Sequence, residues 1–157
     1  NRLIQESLRF LEPEIKDRDI DIRLELRAGL PKLQLDEDQI KQAFYNLIRN
    51  ASQALGNGGL LQIRTDLDDY SVVVQFIDNG VGISAEDMAK LFEPYHTTKA
   101  AGSGLGLLIV RRIVREHGGE IELESEVDLG TKVTCYFPIA EKRMRMLEHS
   151  DEDVIDI

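Results

Sequence analysis

Apolar and polar positions divide the chain into short alternating runs and longer stretches of helical period. Leu3, Ile4, Leu8, Leu11 and Ile15 predict a helix over residues 2–16, with Pro13 a blemish near its end. IDIRLEL, residues 20–26, alternates apolar and charged residues and predicts a half-buried strand. Ile40, Ala43, Phe44, Leu47, Ile48 and Ala51 mark a second helix, which Asp36 or Asp38 can cap and which GNGG at 56–59 ends. LLQIRTDL (60–67) and SVVVQFI (71–77) predict a hairpin turning through Asp68, Asp69 and Tyr70.

Beyond the hairpin, Ser84 is placed to cap a short helix, AEDMAKLF, that stops at Pro94. YHTTKAAGSG, residues 95–104, has no apolar period and reads as a mobile loop. A long helix is expected from about Ser103 to His117, ended by Gly118 and Gly119 and packed against a sheet. EIELES and KVTCYFP predict two more strands around the turn EVDLGT. The pattern is α+β: a mostly antiparallel sheet with helices stacked on one face. One domain over residues 1–140 is expected, followed by a charged tail or linker, 141–157.

Composition narrows the function. Nineteen Lys and Arg against 29 Asp and Glu leave a net charge of −10, which argues against a nucleic-acid partner. Any polyanion must be held locally. The single Cys135 excludes an internal disulfide and fits a reducing, cytoplasmic setting. No apolar run approaches the roughly 20 residues of a membrane span, so no membrane contact is expected of this domain. The start, NRLIQESLRF, reads as mid-domain rather than as a signal peptide.

Three short stretches carry candidate chemistry. GSGLGL (102–107) opens the long helix, where backbone N–H groups and the helix dipole can hold phosphates without basic side chains; an ordinary loop before a helix reads equally well. It lacks the glycine that the dinucleotide fingerprint needs at Leu107, and the chain has no Gly-Lys pair of a P-loop. Asn46 and Asn50, one turn apart beside the apolar stripe, are either a half-buried polar flank or amide-oxygen ligands for Mg²⁺. DNGVGI (78–83) ends a strand, and Asp78 can accept a hydrogen bond from the amino group of adenine. Gly80 and Gly82 would let a flat ring approach the backbone, although a plain turn uses the same residues.

NLIRNASQAL, DNGVGI, LFEPYHTTK, GSGLGL and GTKVTCYFP, in that order, resemble the N box, first glycine box, F box, second glycine box and terminal strand of the catalytic ATP-binding domain of bacterial sensor histidine kinases. The FEPYHTTK form is most similar to the nitrogen-regulator type. That domain belongs to a superfamily shared with the gyrase B subunit, mismatch-repair ATPases and heat-shock chaperone ATPases. The resemblance implies a two-layer α/β sandwich, the Bergerat ATP-binding fold, with ATP and Mg²⁺ between the N-box helix and a lid.

Carried over residue by residue, the resemblance implies that Asp78 binds the adenine amino group, Asn50 coordinates Mg²⁺, and Gly80 and Gly82 border the base, with Ile83 also in the ATP site. It implies that Gly102, Ser103, Gly104, Leu105, Gly106 and Leu107 surround the phosphates. Thr131 supports the adenine, Phe92 hinges the lid, and Thr97, Thr98 and Lys99 lie in the lid, with Lys99 reaching the phosphates. The position where relatives often carry a basic residue is Gln53 here, with Arg49 a substitute. Asn46 stands where hydrolysing relatives place a glutamate general base, so negligible hydrolysis is expected. No segment like S-H-E-L-R-x-P is present, so the histidine acceptor is expected on a separate dimerisation domain of a homodimeric kinase, with a response regulator downstream. A serine-directed kinase of the same superfamily and a non-catalytic nucleotide sensor are the competing readings.

Overall fold

A computed structural model of the chain describes residues 1–94 and 105–139. Its elements run α1 (Arg2–Asp17), β1 (Asp21–Leu26), α2 (Glu37–Leu55), β2 (Leu60–Leu67), β3 (Ser71–Asp78), α3 (Ala85–Ala89), α4 (Gly106–Glu116), β4 (Glu120–Glu126) and β5 (Gly130–Pro138). The strands form one sheet in the order β1-β2-β3-β5-β4. β1 pairs parallel to β2 and every other pair is antiparallel. The α+β expectation holds, with two layers and a mixed sheet.

The core forms where the helical stripes meet the inward face of the sheet. Ile40, Ala43, Phe44, Leu47, Ile48 and Ala51 of α2 are all buried, as their spacing predicts, and Phe44 meets Phe76 of β3 with ring centroids 5.5 Å apart. Ile4, Leu11 and Ile15 add the stripe of α1, and Val110, Ile113 and Val114 that of α4. Asp36 is the cap of α2: its carboxylate accepts from the backbone N–H groups of Asp38 and Gln39. Gly56 closes the other end at φ 69°, a left-handed conformation that suits glycine.

Two helices differ from expectation. The short helix after Ser84 spans only Ala85–Ala89, because none of its residues is buried and a single turn has little packing to hold it. The chain continues in tighter turns, with Leu91 N–H donating to Met88 O and Glu93 N–H to Lys90 O. The long helix begins at Gly106, with Leu105 as its N-cap residue, and it packs mainly on α2. At its far end His117 ties α4 to the start of α2. The Asp36 N–H donates to Nε2 at 3.0 Å, so Nδ1 carries the proton that it donates to Ile113 O at 2.7 Å.

Candidate functional site

Helix α2 is the spine of the site. Asn46 and Asn50 sit on successive turns of it, half-buried, and Gly106 at the start of α4 lies against both. A side-chain carbon on Gly106 would stand 3.5 Å from Asn46 Oδ1 and 3.8 Å from both amide atoms of Asn50. Gly106, the last glycine of the second cluster, therefore meets the asparagine pair, which the sequence left in a separate stretch. Leu105 makes no side-chain cap, and the first turn of a helix directs its N–H groups outward past the cap. Asn46 also turns its amide N–H back to Gln42 O at 3.1 Å, which leaves the Oδ1 side toward Gly106.

One turn beyond Asn50, the same helix receives the DNGVGI loop. The Val81 N–H donates to Ala54 O at 3.1 Å, satisfying a carbonyl of the last turn of α2. Gly80 packs on the same carbonyl, so closely that a side-chain carbon there would come within 2.6 Å of Ala54 O. On Gly82, at φ 71°, it would come within 2.0 Å of Glu126 O. The space that these glycines leave is thus filled by the backbone of α2 and β4. These glycines therefore have a packing reason of their own, beside the expected one of room for a flat ring. Asp78, 8% exposed, closes the loop from inside: its Oδ1 accepts from the Gly80 N–H at 2.9 Å. Asn79 pins the other side, accepting from Leu60 N–H at 2.8 Å.

Asp78 and Thr131 are direct partners in the β3–β5 ladder, and Thr131 and Ser125 are direct partners in β5–β4. Residues opposite one another in a ladder project to the same face, so the three form a polar row under the loop. Ser125 Oγ accepts from Ile83 N–H at 2.8 Å and lies 3.0 Å from Gly130 O and 2.7 Å from Thr131 Oγ1. Ser125 was not among the residues expected at the site. Its signal is a break in the inward pattern of β4, where Ile121 and Leu123 are followed by a hydroxyl.

Phe92 lies beneath Arg111 of α4, whose guanidinium carbon is 4.3 Å from the ring centroid, so the two segments flanking residues 95–104 touch. Thr97, Thr98, Lys99, Gly102, Ser103 and Gly104 lie outside the described residues. Leu107 packs on the core edge. Arg49 pairs with Glu14 of α1 at 3.5 Å, and Gln53 is exposed and uncharged. Among the described residues no three His, Cys, Asp or Glu side chains converge on a metal site. Two neighbouring amide oxygens fit a hard cation such as Mg²⁺, which keeps most of its waters and takes few protein ligands beside phosphate.

Comparison with known proteins gives the family and the fold. Residues 35–141 match the family model described as histidine kinase-, DNA gyrase B-, and HSP90-like ATPase. The sensor histidine kinase ZraS of Escherichia coli (strain K12) is 37% identical over 139 residues, covering 88% of this chain and 30% of that protein. The chain therefore spans about a third of the length of such curated relatives. The catalytic domain of histidine kinase ThkA superposes with a TM-score of 0.79 at 34% identity, over 88% of this chain and 91% of that one. A structure of ThkA in complex with the response regulator protein TrrA matches with a TM-score of 0.77 at 31% identity, over 90% of this chain and 41% of that chain. The chain belongs to the family of histidine kinase-, DNA gyrase B- and HSP90-like ATPases and has the fold of a histidine kinase catalytic domain.

Proposed function

We propose that this domain holds Mg²⁺-ATP and presents its γ-phosphoryl group to a histidine on a dimerisation domain elsewhere in a longer, homodimeric, cytoplasmic or membrane-anchored kinase, for relay to a response regulator. The observation that carries the reading is the meeting of Asn46 and Asn50 with Gly106, on the helix whose last turn also receives the DNGVGI loop. Phosphates at the α4 N-terminus would lie beside the two amide oxygens. The metal would neutralise phosphate charge, and Asn50, with Asn46 next to it, would hold it. Asp78 accepts from the adenine amino group, with Thr131 at its side, and the first backbone N–H groups of α4 take the phosphates.

Asn46 lacks a basic atom to take a proton from water, so ATP is held for transfer rather than hydrolysed. The complex of ThkA with TrrA supports a response regulator as partner. No helix among the described residues is long and apolar enough to cross a membrane. Residues 141–157 would serve as a linker or tail.

The test uses ATP labelled on the γ-phosphate. The chain alone should remain unlabelled, and adding a histidine-bearing dimerisation domain from the same kinase should give phosphohistidine on that domain. Phosphoserine, or no transfer to any supplied histidine domain, overturns the reading in favour of a serine kinase or a nucleotide sensor.

A further inference from the structure

The row Asp78, Thr131, Ser125 has a direction set by its protons. A serine hydroxyl has one proton to give and two lone pairs to receive. Around Ser125 Oγ, the Ile83 N–H can only donate and the Gly130 carbonyl can only accept, while Thr131 could do either. All three bonds form together in one arrangement alone. Ser125 gives its proton to Gly130 O, and its two lone pairs take the protons of Ile83 N–H and Thr131 O–H. If Ser125 instead donated to Thr131, the Gly130 bond would be lost, and the carbonyl of a buried residue would go without it.

The Thr131 proton is therefore spent on Ser125, and what Thr131 offers toward Asp78 is lone pairs only. Asp78, already accepting from Gly80 N–H, is likewise an acceptor when ionised. Two adjacent acceptors receive an amino group or a donating water and oppose a carbonyl. We propose that Ser125 is a positioning residue for base selection: by taking the hydroxyl proton of Thr131 it keeps the floor of the base site acceptor-only, which favours a 6-amino purine over a 6-oxo purine. This rests on the reading that the base sits at Asp78. Ser125 acts through Thr131 and through the Ile83 N–H, which it holds on the loop side of the same row.

The test compares ATP with inosine triphosphate, which carries a 6-oxo group in place of the 6-amino group, by calorimetric titration of the 157-residue chain with Mg²⁺. Ser125→Ala should lower the ATP-to-ITP affinity ratio roughly tenfold, the effect of about one redirected hydrogen bond. Ser125→Thr keeps a hydroxyl and should restore the ratio. In a Thr131→Val background, where no proton needs placing, Ser125→Ala should leave the ratio unchanged; this arm stays informative if the single Ser125→Ala variant folds poorly by circular dichroism.

Equal loss of affinity for both nucleotides with an unchanged ratio overturns the proposal, since that is what a purely structural serine would give. A further drop in the ratio in the Thr131→Val background also overturns it. An unmodified chain that binds ITP as well as ATP overturns the base placement at Asp78 itself, and is distinguished because no variant is needed to see it.

Discussion

Gly130 stands so close to Asp78 across the β3–β5 ladder that a side-chain carbon on it would lie 2.0 Å from the Asp78 carbonyl oxygen. The glycine also has φ +119°, a backbone conformation that other residues rarely adopt. Gly130→Ala combines a clash against backbone with local strain and should cost roughly 2–4 kcal/mol. Gly29→Ala, at φ +73° with nothing within 4 Å, carries the strain without the clash and should cost about 1–2 kcal/mol. Urea unfolding of both variants checks this, and equal losses would show that the close approach does not matter.

The Asp78 carboxylate has an internal partner as well as its proposed ligand. Asp78→Asn keeps a carbonyl oxygen able to accept from Gly80 N–H, so the loop should survive and the unfolding midpoint should stay within the range of a surface change. ATP affinity should fall by about 1–3 kcal/mol, the range for a hydrogen bond to a charged group. Calorimetric titration reads the second quantity; unchanged affinity in a folded variant would move the base elsewhere.

His117 holds two elements of the site together although it lies far along the chain from Asp36. Its ring accepts from the N-cap residue of α2 and donates to the last turn of α4. His117→Ala removes both bonds, each worth about 0.5–1.5 kcal/mol net, and leaves the exposed Asp36 N–H to water, so stability should drop by about 1–3 kcal/mol. His117→Gln, which offers both an acceptor and a donor, should recover part of it. Denaturant midpoints for the pair decide the matter, and an alanine variant as stable as the parent would rule out this tie.

Cys135 lies inside the sheet layer, and burial pushes its thiol up to about 12 from an ordinary 9.0. The folded protein should therefore resist thiol alkylation at pH 8, and labelling should track unfolding in denaturant. In the alkaline range the unfolded thiol ionises above about pH 9 while the folded one keeps its proton to about 12. This group thus favours the folded state fully below pH 9, and that contribution is lost as pH rises from 9 to 12. Unfolding midpoints across that range, compared with Cys135→Ser at each pH, should show a shallower alkaline decline in the variant. Rapid labelling of the native protein at pH 8 would contradict the burial.

Local chemistry made most of the elements legible. The stripe Ile40 to Ala51 buries as a helix because a 3.6-residue period can satisfy only one face, and Asp36 caps it because a carboxylate there reaches two N–H groups with no partner within the helix. The strands follow from alternation, and Asp78, Asn50 and Gly106 stood out as candidates through the order of their motifs, since each stretch alone also suits a turn, a polar flank or a plain loop. Pairing across distance was not legible. β5 inserts between β3 and β4, and β1 runs parallel to β2, because registers depend on which faces bury together rather than on neighbouring residues. The length of α3 was misjudged for the same reason: a capped, periodic turn needs something to pack on, and Ala85–Ala89 buries nothing. Tertiary structure alone decided that Gly80 and Gly82 make room for backbone, that Arg49 answers to Glu14, and that Ser125 stands behind Thr131. Gly80 with Ala54, Gly82 with Glu126 and Arg49 with Glu14 join segments far apart in the chain, while Ser125 and Thr131 meet across the β4–β5 turn. The sequence supplied residue types and periods, and the packing of one helix against two loops and a sheet end chose which of them meet.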